Sequence, residues 1–264
     1  SLSEALIKWA PYKFLSLNAG AINQGMYNSP LFLANSAFMG TSQKVQLIKN
    51  NYQLYIRLQQ AIPNNDTLTQ RYGGVEQGTP SVFIETLGFA FEHEKANFIF
   101  EASQFSFNKL SNGVAYSSQF GGNRTSGVGE SNTSFLYKFQ GINIYSSIFI
   151  PFKENSFSID VNYVHNNEAP TKRSNAILVK STLQLKKVSI LLDIYEIDSD
   201  SSVSFYSSKD YGNNNRKGLA YGVSAKILDD VQLSAKFYDN NVQVEENPYQ
   251  SDSDNISIRL SHLI

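Results

Sequence analysis

The chain has 264 residues and a formal net charge of -1, so it carries no basic footprint for nucleic acid. It contains no cysteine, which excludes a disulfide scaffold, a zinc ribbon and a thiol nucleophile, and no run of about 18 apolar residues offers a helical membrane span. Hydrophobic residues at 41% and a mean hydropathy of -0.29 suit a soluble protein or a barrel with a polar interior, and aromatics at 13% favour strands. The length fits a single domain over 1–264. A start at Ser1 without the pattern of a secretory leader would fit a processed chain and equally a cytoplasmic one.

In chain order, Ser1 to Ala10 reads as a short helix: Leu2, Ala5, Leu6 and Trp9 share a face, and Ser1 with Glu4 has capping-box spacing. Pro11 ends it. From Tyr12 to Ile22 a strand sets Leu15, Leu17, Ala19 and Ala21 against Ser16, Asn18 and Gly20. Asn23 to Ser42 reads as a loop, Gln43 to Ile48 as a second strand, and Lys49-Asn50-Asn51 as a short turn into a third, where Tyr52, Leu54, Ile56 and Leu58 oppose Gln53, Tyr55, Arg57 and Gln59. Pro63 to Pro80 is a long polar loop. Val82 to Glu92 and Asn97 to Phe107 are strands apolar on both faces, so their facing stays open.

Leu110 to Asn132 is the longest loop, and it is expected to fold into the interior or cap it, because closure needs far fewer residues. A β-prone run follows from Thr133 to Phe152, with Ile142, Ile144, Ile148 and Ile150 opposite Asn143, Tyr145 and Ser147. After Lys153-Glu154-Asn155, Phe157, Ile159, Val161 and Tyr163 oppose Ser158, Asp160 and Asn162. Between Asn175 and Tyr238 the period of two is clearest. Ile177, Val179, Leu183 and Leu185 oppose Lys180, Thr182 and Gln184; Ile190, Leu192 and Ile194 oppose Ser189 and Asp193; Leu219, Tyr221 and Val223 oppose Ser224 and Lys226; Leu233, Ala235 and Phe237 oppose Gln232 and Lys236. A last strand alternates Ile256, Ile258 and Leu260 with Ser257, Arg259 and Ser261.

Very short links (Lys186-Lys187, Asp229-Asp230) alternate with long polar ones (Asp198 to Arg216, Asp239 to Asn255). That asymmetry predicts an all-β fold, an antiparallel transmembrane β-barrel over 12–264 with about twelve strands, a short N-terminal helix at 1–10, and both ends of the chain on the short-turn side. From Ile142 onward the outward faces are nearly free of charge, with Glu196, His165 and His262 as exceptions near strand ends. Tyr52, Phe91, Phe98, Phe152 and Phe157 cluster beside the short turns, where an interfacial girdle would lie. The inward residues Arg57, Lys180, Lys226, Lys236 and Arg259 outnumber Asp160 and Asp193, and are the candidate pore lining.

This pattern resembles the bacterial outer-membrane β-barrel class, including its small porins and substrate-specific channels. The resemblance is architectural and covers Tyr12 to Ile264; the last strand is similar to the assembly signal of that class, with Ile264 in place of the usual terminal aromatic. It implies the outer membrane as location, lipid and small solutes or ions as partners, and an oligomer or an envelope protein as a compatible further partner. No cofactor is implied. The expected function is a passive porin-like channel with a mild anion preference. A non-conducting scaffold, anchor or surface receptor is the alternative, and an outer-membrane enzyme ranks third.

An enzymatic reading finds little support. Ser111-Asn112-Gly113 is similar to part of the outer-membrane phospholipase motif, but Lys109 stands where its His belongs, so the hydroxyl has no adjacent base. His93, His165 and His262 lack metal-ligand spacing. Asp198 and Asp200 begin like a calcium loop, but Val203 and Lys209 replace its Gly and Glu, so these acids and Asp252 with Asp254 read as solvated loop charge. The Gly-rich stretch Gly121 to Gly129 joins no strand to a helix and is no phosphate loop.

Overall fold

A computed structural model describes residues 5–34, 36–63, 78–228, 231–244 and 247–262. Ser1, Leu2 and Glu4, most of the Pro63 to Pro80 loop, the Asp229-Asp230 turn and Ile264 lie outside them. The fold is all-β, one antiparallel sheet of thirteen strands in sequential order. The first four are β1 (Ala5–Tyr12), β2 (Leu15–Asn23), β3 (Ala37–Lys49) and β4 (Tyr52–Ile62). Then come β5 (Ser81–His93), β6 (Ala96–Asn108), the helix α1 (Asn112–Phe120) and a two-stranded hairpin of β7 (Thr125–Ser126) and β8 (Ser134–Phe135) that stands apart from the sheet. The sheet resumes with β9 (Gln140–Phe152), β10 (Asn155–Asn166), β11 (Asn175–Leu185), β12 (Val188–Ile197), β13 (Arg216–Lys226), β14 (Val231–Val242) and β15 (Ser253–His262). Among the described residues no ladder joins β1 to β15.

The N-terminal helix is corrected to a strand. Residues 5–12 pair antiparallel with β2, placing Ile7 and Trp9 on one exposed face. The register slips between Trp9 and Tyr12, where Pro11, which has no N–H to donate, is tolerated at an irregular edge. This adds a thirteenth strand, so the ends do not share a side: β1 begins at the long-connection end and β15 finishes at the short-turn end. β3 is also longer than expected and takes in Ala37 to Ser42, the end of the stretch read as loop, while β9 starts only at Gln140.

Ladder partners fix two faces. On the outer one, Ile190, Leu192, Val223 and Leu233 are 47%, 44%, 49% and 40% exposed, with no second sheet over them. Tyr52 and Phe91 stack there at 4.9 Å beside the short turns. Lys217, Asp239 and Asp254 join Glu196 as outer charges toward the long-connection end. Glu85 is a further one, flanked on its own strand by exposed Phe83 and Leu87.

The inner face is strongly curved. The connection after β2 and the connection after β12, eight strands further along the sheet, meet over it, with the Ala34 N–H donating to the Tyr206 carbonyl. Here the Tyr55 hydroxyl on β4 bonds Glu101 on β6, and Lys236 on β14 reaches Asp193 on β12 at 2.5 Å. Into this concavity the 24–36 connection folds back. Phe32 packs on Phe105 at 4.5 Å, Tyr27 donates to Gln59 at 2.9 Å, and the Ser29 hydroxyl lies 2.6 Å from Asn143 Oδ1 and 2.9 Å from Asn162 Oδ1. The 198–215 connection enters beside it: Tyr206 packs on Phe38 and Phe107, and Ser202 donates to the Leu31 carbonyl at 2.8 Å. These segments and the ends of β3 to β14 form the hydrophobic core, which therefore fills the inner face at the long-connection end.

The long loop after β6 caps that end. The Ser111 side chain accepts from the Val114 N–H at 3.3 Å, so it serves as the N-cap of α1. Asn123 then donates to the carbonyls of Ser199 and Ser202 at 2.7 and 2.9 Å, tying the cap to the inserted connection.

Candidate functional site: the charged inner face

Cross-strand pairing carries a single face from Arg57 through Thr86, Ser103 and Asn143 to Val164, and from Asp160 through Lys180, Asp193 and Ala220 to Tyr238. Ser224 and Ser234 extend it to Arg259 on β15. All the inward candidates therefore share one face, but they do not form one cluster. Asp160, Lys180, Asp193 and Lys236 are brought together on β10, β11, β12 and β14. Arg57 sits apart on β4. Lys226 and Arg259 are exposed toward the short turns and touch neither group.

Asp193 is buried and doubly bound, accepting from Lys236 Nζ at 2.5 Å and from the Tyr211 hydroxyl at 2.8 Å. Tyr145 donates to Asp160 Oδ1 at 3.1 Å. Lys180 stands directly across from both Asp160 and Asp193 in the ladder, yet among the described residues it makes no salt bridge. Tyr211 belongs to the inserted 198–215 connection, where burial, followed by the nearby Asp193 carboxylate, raises its phenol well above the ordinary value and keeps it a neutral donor.

The second group comprises Arg57, Glu101, Tyr55, Tyr27 and Lys44. Arg57 meets Glu101 at 3.3 Å, lies over the Tyr27 ring at 4.6 Å, and Lys44 lies 4.1 Å from the Tyr55 ring centre. Tyr55 reaches Glu101 only by crossing β5 at Gly88, where any Cβ would fall 2.1 Å from Tyr55 Cζ. β13 repeats the device: Tyr195 crosses over Gly218 to donate to Asn240 Oδ1 at 2.5 Å.

Of the four acids read as solvated loop charge, Asp252 and Asp254 are exposed, but Asp198 and Asp200 behave otherwise. Asp200 is 1% exposed and accepts from the Arg124 N–H at 2.9 Å and the Ser199 hydroxyl at 2.7 Å, while Asp198 accepts from the Asn175 N–H at 2.9 Å. Asp198 holds its connection to the start of β11, and Asp200 ties the stretch after α1 to the same connection. Burial lifts the Asp200 carboxyl above the ordinary range, outweighing the donors that lower it. Because its folded pKa is raised, the folded protein binds a proton that the unfolded chain does not between about 3.9 and the raised value. The contribution of Asp200 to stability is therefore best below that window and falls as pH rises through it. Asp200→Asn is expected to flatten this dependence and to raise the thermal midpoint at pH 7 relative to pH 4, read by melting curves of both proteins at the two pH values.

Among the described residues no cluster of His, Asp and Glu is arranged to hold a metal. His93 lies at a short turn, and His165 bonds Asn175 at 2.9 Å. Three features of the inner face escape sequence reading: Lys44, Glu101 and the two inserted connections. Glu101 had a signal in its alternation with Ser103, masked by phenylalanines on both faces of β6. No known protein-family profile matches the chain, and no curated protein sequence matches it.

Proposed function

We propose that the chain is a transmembrane β-barrel of a bacterial outer membrane and works as a passive channel for small solutes or ions, narrowed by its own inserted connections. The observation that carries this reading is the separation of the two faces. Exposed aliphatic and aromatic side chains run across the outer face from Ile7 on β1 to Ile258 on β15, with its charges mostly toward the long-connection end, whereas the ion pairs Arg57–Glu101 and Lys236–Asp193 lie on the inner one. Monomers in water rarely expose contiguous apolar patches beyond a few hundred Å². In hydrocarbon such a surface is the favourable one, provided every edge N–H and C=O is paired. β1 and β15 must then meet, in parallel because the strand number is odd, or take up a further strand.

Two pairs, Arg57 with Glu101 and Lys236 with Asp193, neutralise each other. Lys44, Lys180, Lys226 and Arg259 then outnumber Asp160 and Glu92 on the inner strands and Asp210 on the inserted connection, which supports a mild anion preference. Replacing Lys226 and Lys236 by Gln removes one free cation and exposes Asp193. The reversal potential in a salt gradient across a planar bilayer is expected to move toward cation selectivity, less so at 1 M salt where the Debye length is about 3 Å.

A second reading is favoured by the filled long-connection end, where Tyr27, Phe32, Phe38 and Tyr206 are buried together. A barrel closed there would act as a non-conducting scaffold, anchor or surface receptor. Single-channel steps from the reconstituted protein support the channel; a correctly folded protein without them supports the scaffold.

A further inference from the structure

We propose that the cavity beneath the 24–36 connection binds a small zwitterion of amino-acid size, its carboxylate on Lys180 and its ammonium on Asp160 and Asp210. The proposal deepens the channel reading and depends on it for the solute's route, but not for binding. The cavity measures about 340 Å³, at the small end of ligand sites. Tyr145, Asp160 and Lys180 form its wall, Asn28 and Ser29 its cover, and Asp210 and Tyr211 its far side.

The charges decide the class of ligand. Asp193 Oδ2 is taken up by Lys236 and Tyr211, and Asp193 does not line the cavity, so within it Lys180 faces Asp160 and Asp210. Tyr145 occupies one oxygen of Asp160 and leaves the other as an acceptor. What faces the cavity is thus one ammonium, Lys180, and two carboxylates, Asp160 and Asp210. A simple anion would satisfy Lys180 but meet both acids, and a simple cation would satisfy the acids but meet Lys180. A solute carrying both charges makes charge-assisted hydrogen bonds at each end. The site is also preformed: Ser29 anchors the cover to Asn143 and Asn162, and Tyr211 anchors the far side to Asp193, so little ordering remains for binding.

The test is calorimetric titration of the micelle-folded protein with L-alanine, acetate and methylammonium in parallel. Alanine is expected to bind about tenfold more tightly than either singly charged probe, and to lose about tenfold in Lys180→Gln and in Asp210→Asn, the latter on an exposed loop residue that leaves folding intact. Failure of alanine to bind the folded parent, acetate binding as tightly as alanine, or an Asp210→Asn variant that binds like the parent would each overturn the site. Bilayer recordings keep the two readings apart. Alanine binding without conductance supports the site and removes the channel, whereas conductance without alanine binding keeps the channel and removes the site.

Discussion

Glu101→Ala is expected to destabilise the protein by about 3 to 5 kcal/mol, the cost of leaving a buried charge without its partner. The side chains of Arg57 and Glu101 are only 10% and 5% exposed, so solvent screens the pair little. The same carboxylate oxygen takes the Tyr55 hydroxyl, and its loss strands that donor over β5 as well. Arg57→Met combined with Glu101→Ala removes both charges together and should recover a large part of the loss, because the penalty lies in the unpaired guanidinium more than in the missing attraction. Urea unfolding of the parent, both single variants and the double variant in detergent micelles measures the cycle. A loss below about 1 kcal/mol in Glu101→Ala would mean that the pair is solvated as a surface pair is.

That this pair matters could not be read in the sequence, and the reason is physical. In β11 to β14 the alternation holds along most of each strand, so every inward charge named there lies on the inner face, even though Leu178, Leu191 and Ile197 are apolar inner residues and Glu196, Lys217 and Asp239 are outer charges. In β6 the inner face changes character along its length, polar at Glu101 and Ser103 but aromatic at Phe105 and Phe107, because Phe32 of the inserted connection packs on those rings. With Phe98 and Phe100 on the outer face, alternation vanishes from a strand whose facing depends on a segment some seventy residues earlier. The N-terminus failed differently. Leu6 and Trp9 fit a helical face as well as Ile7 and Trp9 fit a strand face, and pairing with β2 decides between them.

A charge series along one strand tests the environment of the outer face. Leu192 lies near the middle of β12, between Ser181 and Tyr221 in the ladder, and Val188 begins the same strand on the same face at the short turn. At the surface of a protein in water, either position should tolerate arginine within about 0.5 kcal/mol. In a bilayer the cost depends on depth. Leu192→Arg is expected to lose about 2 to 4 kcal/mol near the midplane, and Val188→Arg about 0 to 1 kcal/mol at the interface. Glu85 fits the same scale, since an outward carboxylate costs less than a cation and the cost falls away from the midplane. Urea titration of each variant folded into phosphatidylcholine vesicles reads the difference directly. Equal, small losses at both positions would place the outer face outside hydrocarbon and end the membrane reading, while a loss concentrated at Leu192 would tie the exposed apolar band to lipid.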